Sequence, residues 1–387
     1  MSWSTVKLAD LATVSSGGGA PQDAGAFSAE GVPFVRAGSL VKLLDGQSEE
    51  SLELLQPDVA ADHRLKLFPA GTVLFAKSGM SATKGHVYQL KKPAYVVNHL
   101  AALIPLSEVS GRYLRQVLKF KSPTCLIKDE AYHSIRLGDI ESMEVPAPKT
   151  ESERERIAAI LDQADDLRRK RQRALDRLNQ LGQAIFIELF GGVGSPRNEC
   201  DITPLEQLCD LVRGSSPRPQ GDPRFFGGPV PRLMIADISR DGMVVTPRID
   251  SLTEEGATKS RAMPAGSVVM AVSGAVGLPA ILAVDACIHD GFVGFRALRK
   301  SVLPDFFYWY LVVNREANRA QGTGAIWVNL TTDQVKRFAV PVPPIESQQV
   351  FASRMRVVSD QSAHSRKALQ VSERLFASLQ HRAFRGE

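Results

Sequence analysis

Two stretches of the chain repeat apolar residues at the spacing of a long helix that packs against another helix. From Ile157 to Leu189, alternating steps of four and three residues visit ten positions, and seven of them are apolar. The same steps from Phe351 to Ala383 again give seven apolar positions of ten. Heptads sustained over this length predict a coiled coil. At about 1.5 Å per residue, each helix would be roughly 60 Å long, too long for the inside of one small domain.

The two helices are predicted to pair antiparallel, because one alignment places their polar and small exceptions opposite suitable residues. Arg168 would then face the small, polar Ser372. Val358 would fill the gap left by Gly182. The alternative is that each helix packs along its own domain, which the length of the helices disfavours.

The rest of the chain predicts globular domains that mix strands and helices. Short runs rich in Val, Ile and Phe, bounded by Gly, Pro and Asn, are typical of strands, as at residues 72–76, 95–103 and 267–272. Short helices are predicted at residues 113–120 and 305–314. A mixed α+β domain fits this order better than a doubly wound one. The Pro-rich residues 145–149 and 340–344 are predicted to continue neither sheet nor helix and to mark the end of each domain.

The chain also contains an internal repeat. The segment FPAGTVLFAKSG at residues 68–79 returns 195 residues later as MPAGSVVMAVSG, with seven of twelve positions identical. The segments VPAPKTESE at 145–153 and VPVPPIESQ at 340–348 match at five of nine positions with the same offset. Leu-x-x-Leu segments begin both halves, at Leu8 and Leu205. The sequence is therefore predicted to be two diverged copies of one domain-plus-helix unit.

Composition narrows the class of protein. A chain of 387 residues, 23% charged and 44% hydrophobic, is typical of a globular protein with two or three domains. The longest nearly unbroken apolar run, residues 306–313, is far shorter than the roughly 20 residues that a membrane span needs. The N-terminus has no basic region followed by an apolar stretch, so a cytoplasmic location without a secretory signal is predicted.

Cysteine spacing and charge exclude two simple kinds of site. The spacing of Cys125, Cys200, Cys209 and Cys287 fits neither a disulfide framework nor a zinc knuckle, so reduced thiols are predicted. The net charge of +5 is spread out, with 15 Lys and Arg against 15 Asp and Glu in residues 1–145 and 16 against 15 in residues 191–340. Any positive surface for nucleic acid must therefore arise from arrangement on folded domains rather than from a basic tail.

The sequence contains no motif of a self-sufficient active site. GMSATKG at residues 79–85 lacks the G-K-[ST] ending of a phosphate-binding loop. Ser78 and Ser273 lack the G-x-S-x-G context of a hydrolase nucleophile. The N-P-P-aromatic tetrapeptide of an amino-methyltransferase is missing, and the seven histidines have no metal-ligand spacing. The sequence therefore predicts a protein that is not an enzyme and binds no metal.

The order of these features resembles that of the specificity subunit of a type I restriction-modification system. Each half has a Leu-x-x-Leu start, a P-A-G-[TS]-V-x-x-x-A-x-S-G core and a P-x-P-x-x-E-S stretch that leads into a long helix. The resemblance covers essentially the whole chain. It departs from the usual pattern where Glu-Gln commonly follows the Pro-rich stretch, because Glu151-Ser152-Glu153 and Glu346-Ser347-Gln348 stand there. Both segments still supply a carboxylate to the first turn of a helix, where the helix dipole favours it.

The resemblance implies an α+β fold of two tandem target-recognition domains separated by two long helices that form an antiparallel coiled coil, with an internal pseudo-two-fold repeat. The implied boundaries are domains at 1–149 and 201–344, helices at 150–190 and 345–387, and a linker at 191–200. Each domain would bind one half of a bipartite, asymmetric DNA sequence. The helices would set the separation of the two half-sites.

The resemblance also implies partners. These would be double-stranded DNA, two modification (methyltransferase) subunits and restriction (helicase-nuclease) subunits, with S-adenosylmethionine and ATP on the partner subunits only. Two other functions stay open: a single-chain DNA methyltransferase or nuclease with an unrecognised site, and a coiled-coil scaffold that binds protein. The basic run at residues 168–171 fits a nucleic-acid patch, a solvated face or a subunit-docking surface.

Candidate DNA-contacting residues are polar side chains in loops near strand ends, because base recognition needs hydrogen bonds at groove edges. In the first domain the loop after residues 72–76 supplies Lys77, Ser78, Ser81, Thr83, Lys84 and His86. A later stretch of the same domain supplies Lys128, Tyr132, His133 and Arg136.

The second domain is predicted to use other residues, because its loop at 272–279 is nearly apolar except for Ser273. A Gly-interrupted loop before the last strand supplies Arg319, Gln321, Thr323, Trp327 and Asn329. Arg218 and Arg224, in a loop rich in Pro and Gly, are candidates for phosphate contact. For each residue taken singly, an ordinary surface role is the alternative.

Overall fold

The computed structural model describes residues 3–129, 132–192, 195–196, 200–322 and 329–385. The chain forms two compact units. Unit 1 comprises Met1–Arg169 and Val371–Glu387, and unit 2 comprises Lys170–Gln370. Each unit therefore contains one globular domain and a part of each long helix.

The domain of unit 1 is built from two main sheets and a two-stranded ribbon. Its strands are β1 (Trp3–Lys7), β2 (Ala12–Ser16), β3 (Phe27–Ser28), β4 (Val32–Val35), β5 (Leu54–Leu55), β6 (Leu67–Phe68), β7 (Val73–Ala76), β8 (Val87–Gln89), β9 (Ala94–Val96), β10 (Leu100–Pro105) and β11 (Glu144–Pro148). The strand orders are β2-β10-β7-β8, β3-β5-β4-β9-β6 and β1-β11. The pair β4-β9 is parallel, and the other pairs are antiparallel.

Unit 2 repeats this arrangement with five strands in the first sheet, four in the second and one additional two-stranded pair. Its strands are β12 (Gly191–Gly192), β13 (Ser195–Pro196), β14 (Asp201–Pro204), β15 (Asp210–Arg213), β16 (Phe226–Leu233), β17 (Val244–Val245), β18 (Asp250–Leu252), β19 (Arg261–Met263), β20 (Val268–Ala271), β21 (Pro279–Leu282), β22 (Ala286–Ile288), β23 (Phe292–Arg296) and β24 (Ala339–Val342). The strand orders are β15-β23-β20-β21-β17, β18-β16-β22-β19, β14-β24 and β12-β13. As in unit 1, the second sheet contains a parallel pair, here β16-β22.

The helices include the two long ones that the heptads predict. They are α1 (Ser39–Leu44), α2 (Pro57–Asp62), α3 (Glu108–Phe120), α4 (Leu137–Glu141), α5 (Glu151–Phe190), α6 (Ile235–Asp241), α7 (Glu254–Thr258), α8 (Pro304–Val313), α9 (Arg315–Ala320), α10 (Thr332–Lys336) and α11 (Ile345–Arg385). The short helices predicted at 113–120 and 305–314 are confirmed by α3 and α8, although α8 ends one residue earlier, at Val313. Of the helices in the described ranges, none is long and apolar enough to cross a bilayer.

The repeated P-A-G motif forms the turn and strand at the centre of each domain. Gly71 and Gly266 have φ angles of +88° and +81°, a region that glycine enters without steric cost. In the strand that follows, successive side chains point to opposite faces of the sheet. Val73 and Phe75 of β7 enter one apolar cluster, and Leu74 and Ala76 enter another. Strand β20 divides its residues in the same way, so a strand that is apolar throughout is buried on both faces.

Two predictions about strands need correction. Residues 95–103 form two strands rather than one, because a turn at Asn98 and His99 separates β9 from β10, which belong to different sheets.

The Pro-rich stretches do join sheets: β11 pairs with β1, and β24 pairs with β14. Successive N–H groups of a strand point to opposite sides. Prolines at alternate positions, such as Pro146 and Pro148, can therefore both place their nitrogens on the side of β11 that has no partner strand.

Within unit 2, α5 and α11 run antiparallel. Arg171 donates a hydrogen bond to the carbonyl of Ala368, and fifteen residues later the Phe186 ring lies 5.5 Å from that of Phe351. The predicted filling of the gap at Gly182 by Val358 is wrong. A Cβ atom at position 182 would overlap Trp309 and press on Met355, so these two side chains occupy the space.

The last turn of each long helix is buried by aromatic packing. In unit 2, the Phe190 ring of α5 lies 5.0 Å from Phe306 and 5.5 Å from Phe351. In unit 1, Phe384 of α11 lies 4.9 Å from Phe120 and 5.9 Å from Tyr113. Phe190 and Phe384 each lie in the last turn of their helix. Each domain therefore packs against the beginning of one long helix and the end of the other.

A buried cluster of charges fixes the first part of α5 against α3 within unit 1. The side chain of Asp165 is 7% exposed, and its carboxylate pairs with Lys119 at 2.7 Å, Arg168 at 2.8 Å and Arg169 at 3.1 Å. Burial alone would raise the pKa of Asp165, but the ammonium of Lys119 and the two guanidinium groups hold this pKa well below its usual range. Asp165 is therefore ionised in the folded protein at neutral pH.

Replacing Asp165 with Ala is expected to lower the free energy of unfolding by about 3 kcal/mol, because Lys119 would be left buried without its counter-ion. Urea unfolding of the full chain at pH 7 measures this loss. The matched control is Asp176→Ala, which removes an exposed carboxylate from the same helix and should cost less than about 0.5 kcal/mol.

The stabilisation that Asp165 provides depends on pH, and its lowered pKa determines the direction of that dependence. Unfolded Asp has a pKa of about 3.9, so the stabilisation is complete above that pH and is lost as the pH falls below it. The difference between wild type and Asp165→Ala should therefore shrink at acid pH. A difference that stays constant from pH 7 to pH 3 would contradict the assignment.

Candidate nucleic-acid interface

In unit 1 the structure brings two of the predicted DNA-contacting segments together. The loop after β7 pairs with the segment before α4: Ile135 N–H donates to the carbonyl of Lys77 at 2.8 Å, and Gly79 N–H donates to that of His133 at 2.9 Å. Ser78 and Ser134 form an isolated antiparallel bridge between these bonds. Lys77, Ser78 and His133 therefore belong to one surface.

Unit 2 contains the same backbone framework. Leu330 N–H donates to the carbonyl of Val272 at 3.0 Å, and these residues follow Ile135 and Lys77 by 195 positions. Asn329 is therefore held beside Ser273. Both line a surface depression whose other residues are Arg213, His289, Asp290, Gly291, Leu330, Thr331 and Thr332. The loop that the sequence dismissed as nearly apolar thus contributes its one polar side chain to the candidate interface.

The remaining predicted residues of unit 1 differ in how firmly they are held. The Ser78 hydroxyl lies 2.7 Å from Nδ1 of His99, and Thr83 donates to the carbonyl of Met80 at 2.9 Å. Lys128 pairs with Asp139 at 2.9 Å. The others lie in the same loops and are partly or fully exposed: Ser81, Lys84, His86, Tyr132 and Arg136.

The predicted residues of unit 2 are more scattered. The carbonyl of Gln321 accepts a hydrogen bond from Gln334 at 2.6 Å, and Arg319 lies 3.8 Å from Glu316. Arg218 lies 3.6 Å from Asp290, at the edge of the depression. Arg224 instead pairs with Asp222 at 2.6 Å and lies over the Phe225 ring. Thr323 and Trp327 fall outside the described residues.

Several polar residues of the candidate interface were not among those predicted from the sequence. His99 and Ser134 contact or adjoin Ser78 in unit 1, and Arg213, His289 and Asp290 line the depression of unit 2. The repeat was the available signal. Applying the 195-residue offset to Lys77 and Ser78 gives Val272 and Ser273. Arg213, His289 and Asp290 lie beside this segment.

Two residues of the depression have shifted pKa values with clear causes. Burial lowers the pKa of His289, and the nearby guanidinium of Arg232 lowers it further, while Nδ1 accepts a hydrogen bond from Gly291 N–H at 2.9 Å. A hydrogen bond of 2.8 Å from the Ser216 hydroxyl lowers the pKa of Asp290. At neutral pH the site therefore presents a neutral imidazole and an ionised carboxylate.

This surface offers hydroxyl, amide, guanidinium and carboxylate groups, which are the side chains that bind base edges and phosphates. Among the residues that the structure describes, no group of three or more His, Cys, Asp and Glu side chains is placed to hold a metal ion. The four cysteines are free, as the sequence predicted.

Comparison with known proteins identifies related sequences and a related fold. The profile of the type I restriction modification DNA specificity domain matches residues 1–177 and again residues 202–371. A putative type I restriction enzyme MjaX specificity subunit of Methanocaldococcus jannaschii is 21% identical over 335 residues, 80% of this chain and 75% of that protein. The MjaIX specificity subunit of the same organism is 29% identical over 150 residues, 38% of this chain and 34% of that protein.

A solved structure has the same fold. The S subunit of a type I restriction-modification system from M. genitalium superposes with a TM-score of 0.60 at 13% identity, over 99% of this chain and 96% of that one. At 13% identity this match shows a shared fold and nothing more.

The lowered pKa of His289 makes a prediction about stability. Since unfolded His has a pKa of about 6.5, the unfolded chain binds a proton before the folded one does as the pH falls. The stabilisation from neutral His289 is therefore complete above pH 6.5 and is lost as the pH drops from there through the folded pKa. Urea unfolding of wild type and His289→Gln between pH 8 and pH 5 should show a smaller acid loss in the variant. Parallel pH profiles would contradict the assignment.

Proposed function

The chain belongs to the type I restriction modification DNA specificity family, and we propose that it recognises a bipartite, asymmetric DNA sequence for such a complex. The observation that supports this most directly is the double match of one domain profile to residues 1–177 and 202–371. Each match contains one framework of hydrogen bonds that holds polar side chains at a surface.

Each unit is proposed to bind one half-site. The frameworks are alike, but the side chains on them differ: Lys77 and Ser78 in unit 1 correspond to Val272 and Ser273 in unit 2. Different hydrogen-bonding groups at corresponding positions select different bases. The two half-sites should therefore differ in sequence.

DNA affinity in this proposal comes from placed cations rather than from overall charge. Residues 1–145 have equal numbers of acidic and basic residues, and residues 191–340 have one excess cation. Lys84 and Arg136 in unit 1 and Arg218 in unit 2 are proposed to contact phosphates, because they are exposed beside the polar framework. Much of the remaining affinity is expected from partner subunits.

The long helices are proposed to dock two modification subunits, with restriction subunits joining the assembly. In unit 2, a surface groove between α5 and α11 is lined by Leu178, Leu181, Arg173 and Arg177. Leu181 is 48% exposed, and Val357 of α11 is 72% exposed. Apolar residues on the outer side of a helix pair, flanked by cations, fit a partner helix with acidic borders.

The chain is proposed to have no catalytic role of its own. S-adenosylmethionine and ATP would bind to the modification and restriction subunits. The alternatives are separable by experiment: methyl transfer from S-adenosylmethionine by the purified chain alone would support a single-chain methyltransferase. Failure to bind duplex DNA at any salt concentration, even with partner subunits, would support a protein-binding scaffold.

Replacing Gln321 and Asn329 with Ala is expected to relax recognition of one half-site only. Each lost base contact should cost about 1 to 3 kcal/mol of discrimination. The measurement is selection of bound duplexes from a pool randomised in both half-sites, with the chain assembled with its modification subunits. Ser78→Ala in unit 1 is the matched control and should affect the other half-site. Equal effects of both variants on both half-sites would refute the assignment.

Replacing Leu181 and Val357 with Asp is expected to weaken assembly at least tenfold, because the new carboxylates would be buried against the partner. Titration of fluorescent modification subunit with the variant measures the affinity. Asp replacements at Val244 and Ile249, also exposed but outside the helices, are the controls. Undiminished affinity would place the docking surface elsewhere.

A further inference from the structure

The turn between two strands occupies the same place in both domains. In unit 1 it joins β9 to β10 at Asn98 and His99, and in unit 2 it joins β22 to β23 at Asp290 and Gly291. The flanking bonds correspond: Leu100 N–H donates to the carbonyl of Val97 at 3.0 Å, as Phe292 N–H donates to that of His289 at 2.9 Å. Asn98 and Asp290 are therefore structurally equivalent, with an offset of 192 rather than 195 residues.

Each turn is bonded to the loop that holds the candidate interface. Lys77 N–H donates to the carbonyl of His99 at 2.9 Å, and Val272 N–H donates to that of Gly291 at 2.8 Å. In unit 1 the side chain of His99 contacts Ser78. In unit 2 Asp290 lines the same depression as Ser273 and Asn329. The turn thus adjoins the polar surface in each unit.

The two equivalent side chains have nearly the same shape and different hydrogen-bonding chemistry. The amide of Asn98 donates and accepts, whereas the ionised carboxylate of Asp290 only accepts. Both are accessible: Asn98 is exposed, and the Asp290 side chain is 56% exposed. Such a difference at one position is a simple way for two copies of a domain to prefer different bases.

The carboxylate of Asp290 is held in place by a chain of contacts that begins in the interior. The Arg232 side chain is 7% exposed, pairs with Asp250 and donates to the Ser216 hydroxyl at 2.9 Å. Ser216 donates to one oxygen of Asp290 at 2.8 Å, and Arg218 lies 3.6 Å from the other. A recognition group fixed in this way loses little conformational freedom on binding.

A carboxylate on a DNA-binding surface requires a specific reason. It is repelled by phosphates, a cost that Arg218 reduces and that a hydrogen bond accepted from a base amino group, N4 of cytosine above all, would turn into selectivity. An Asn side chain pairs instead with N6 and N7 of adenine. The carboxylate of Asp290, an acceptor, therefore suits cytosine, and the amide of Asn98, which both donates and accepts, suits adenine.

We infer that Asn98 and Asp290 are specificity-determining residues at one equivalent position, Asn98 contacting adenine in one half-site and Asp290 contacting cytosine in the other. This inference rests on the proposed function and adds to it the residue pair that makes the half-sites differ. Ser216 and Arg232 act on the base only through Asp290 and are positioning residues.

The test exchanges the two chemistries singly, in Asp290→Asn and Asn98→Asp. Each variant, assembled with its modification subunits, selects duplexes from a pool randomised in both half-sites, and the bound pool is sequenced. Asp290→Asn should reduce the preference for cytosine at one position of one half-site roughly tenfold. Asn98→Asp should reduce the preference for adenine at one position of the other half-site by a similar factor.

A matched control and a positioning variant complete the design. Glu255→Gln removes one carboxylate with a side chain 59% exposed, outside the depression, and should leave every base preference unchanged. Ser216→Ala should weaken the preference at the Asp290 position alone, and less than Asp290→Asn does. Thermal unfolding of each variant verifies that it is folded.

The outcomes separate this inference from the proposed function. If the wild-type assembly enriches no bipartite sequence, the proposed function fails and this inference fails with it. If wild type enriches such a sequence, and both variants enrich the same one, the proposed function stands and this inference is wrong. If Asp290→Asn raises affinity for all duplexes equally, the carboxylate acts only by repulsion, which also refutes the inference.

Discussion

Aromatic packing at the ends of the long helices is the constraint on which the rest of the structure depends. A helix of 40 residues cannot be buried by a domain of about 145 residues, so each helix serves both units. Phe190 closes the core of unit 2 against Phe306 and Phe351, and Phe384 closes that of unit 1 against Tyr113. Because these rings belong to the domain cores, the helices cannot leave without exposing large apolar surface. The duplicated sequence therefore folds as two units that each contain chain from both halves.

A second constraint positions the candidate interface. Strands β7 and β20 are buried on both faces, so the segments that leave them, at Lys77 and Val272, have little freedom in where they begin. Each is bonded on one side to a turn, at His99 or Gly291, and on the other to a distant segment, at Ile135 or Leu330. Rigid strands thus support loops whose side chains differ between the two domains.

The positions of individual charged groups matter more in this protein than the net charge. Asp165 and Arg232 are buried and paired, and they fix a helix and a carboxylate respectively. The exposed polar groups beside Ser78 and Ser273 occupy domains that have almost no net charge. Sequence counts measure only the sum of charges. The fold decides which of them share a surface, because Ser78 and Ser134 are 56 residues apart in the chain and are joined by an isolated bridge in the fold.

The sequence by itself determined the repeat, the two long helices, the central strands and the family, because heptad spacing, apolar runs and repeated motifs are local patterns. It placed Lys77, Ser78 and His133 in candidate loops but overlooked Asp290, and it assigned one strand across the turn at Asn98. Only the tertiary structure decided which loops meet, that Trp309 fills the space at Gly182, and that Pro146 lies in a strand. These depend on backbone hydrogen bonds and packing between residues far apart in the chain, which leave no local pattern in the sequence.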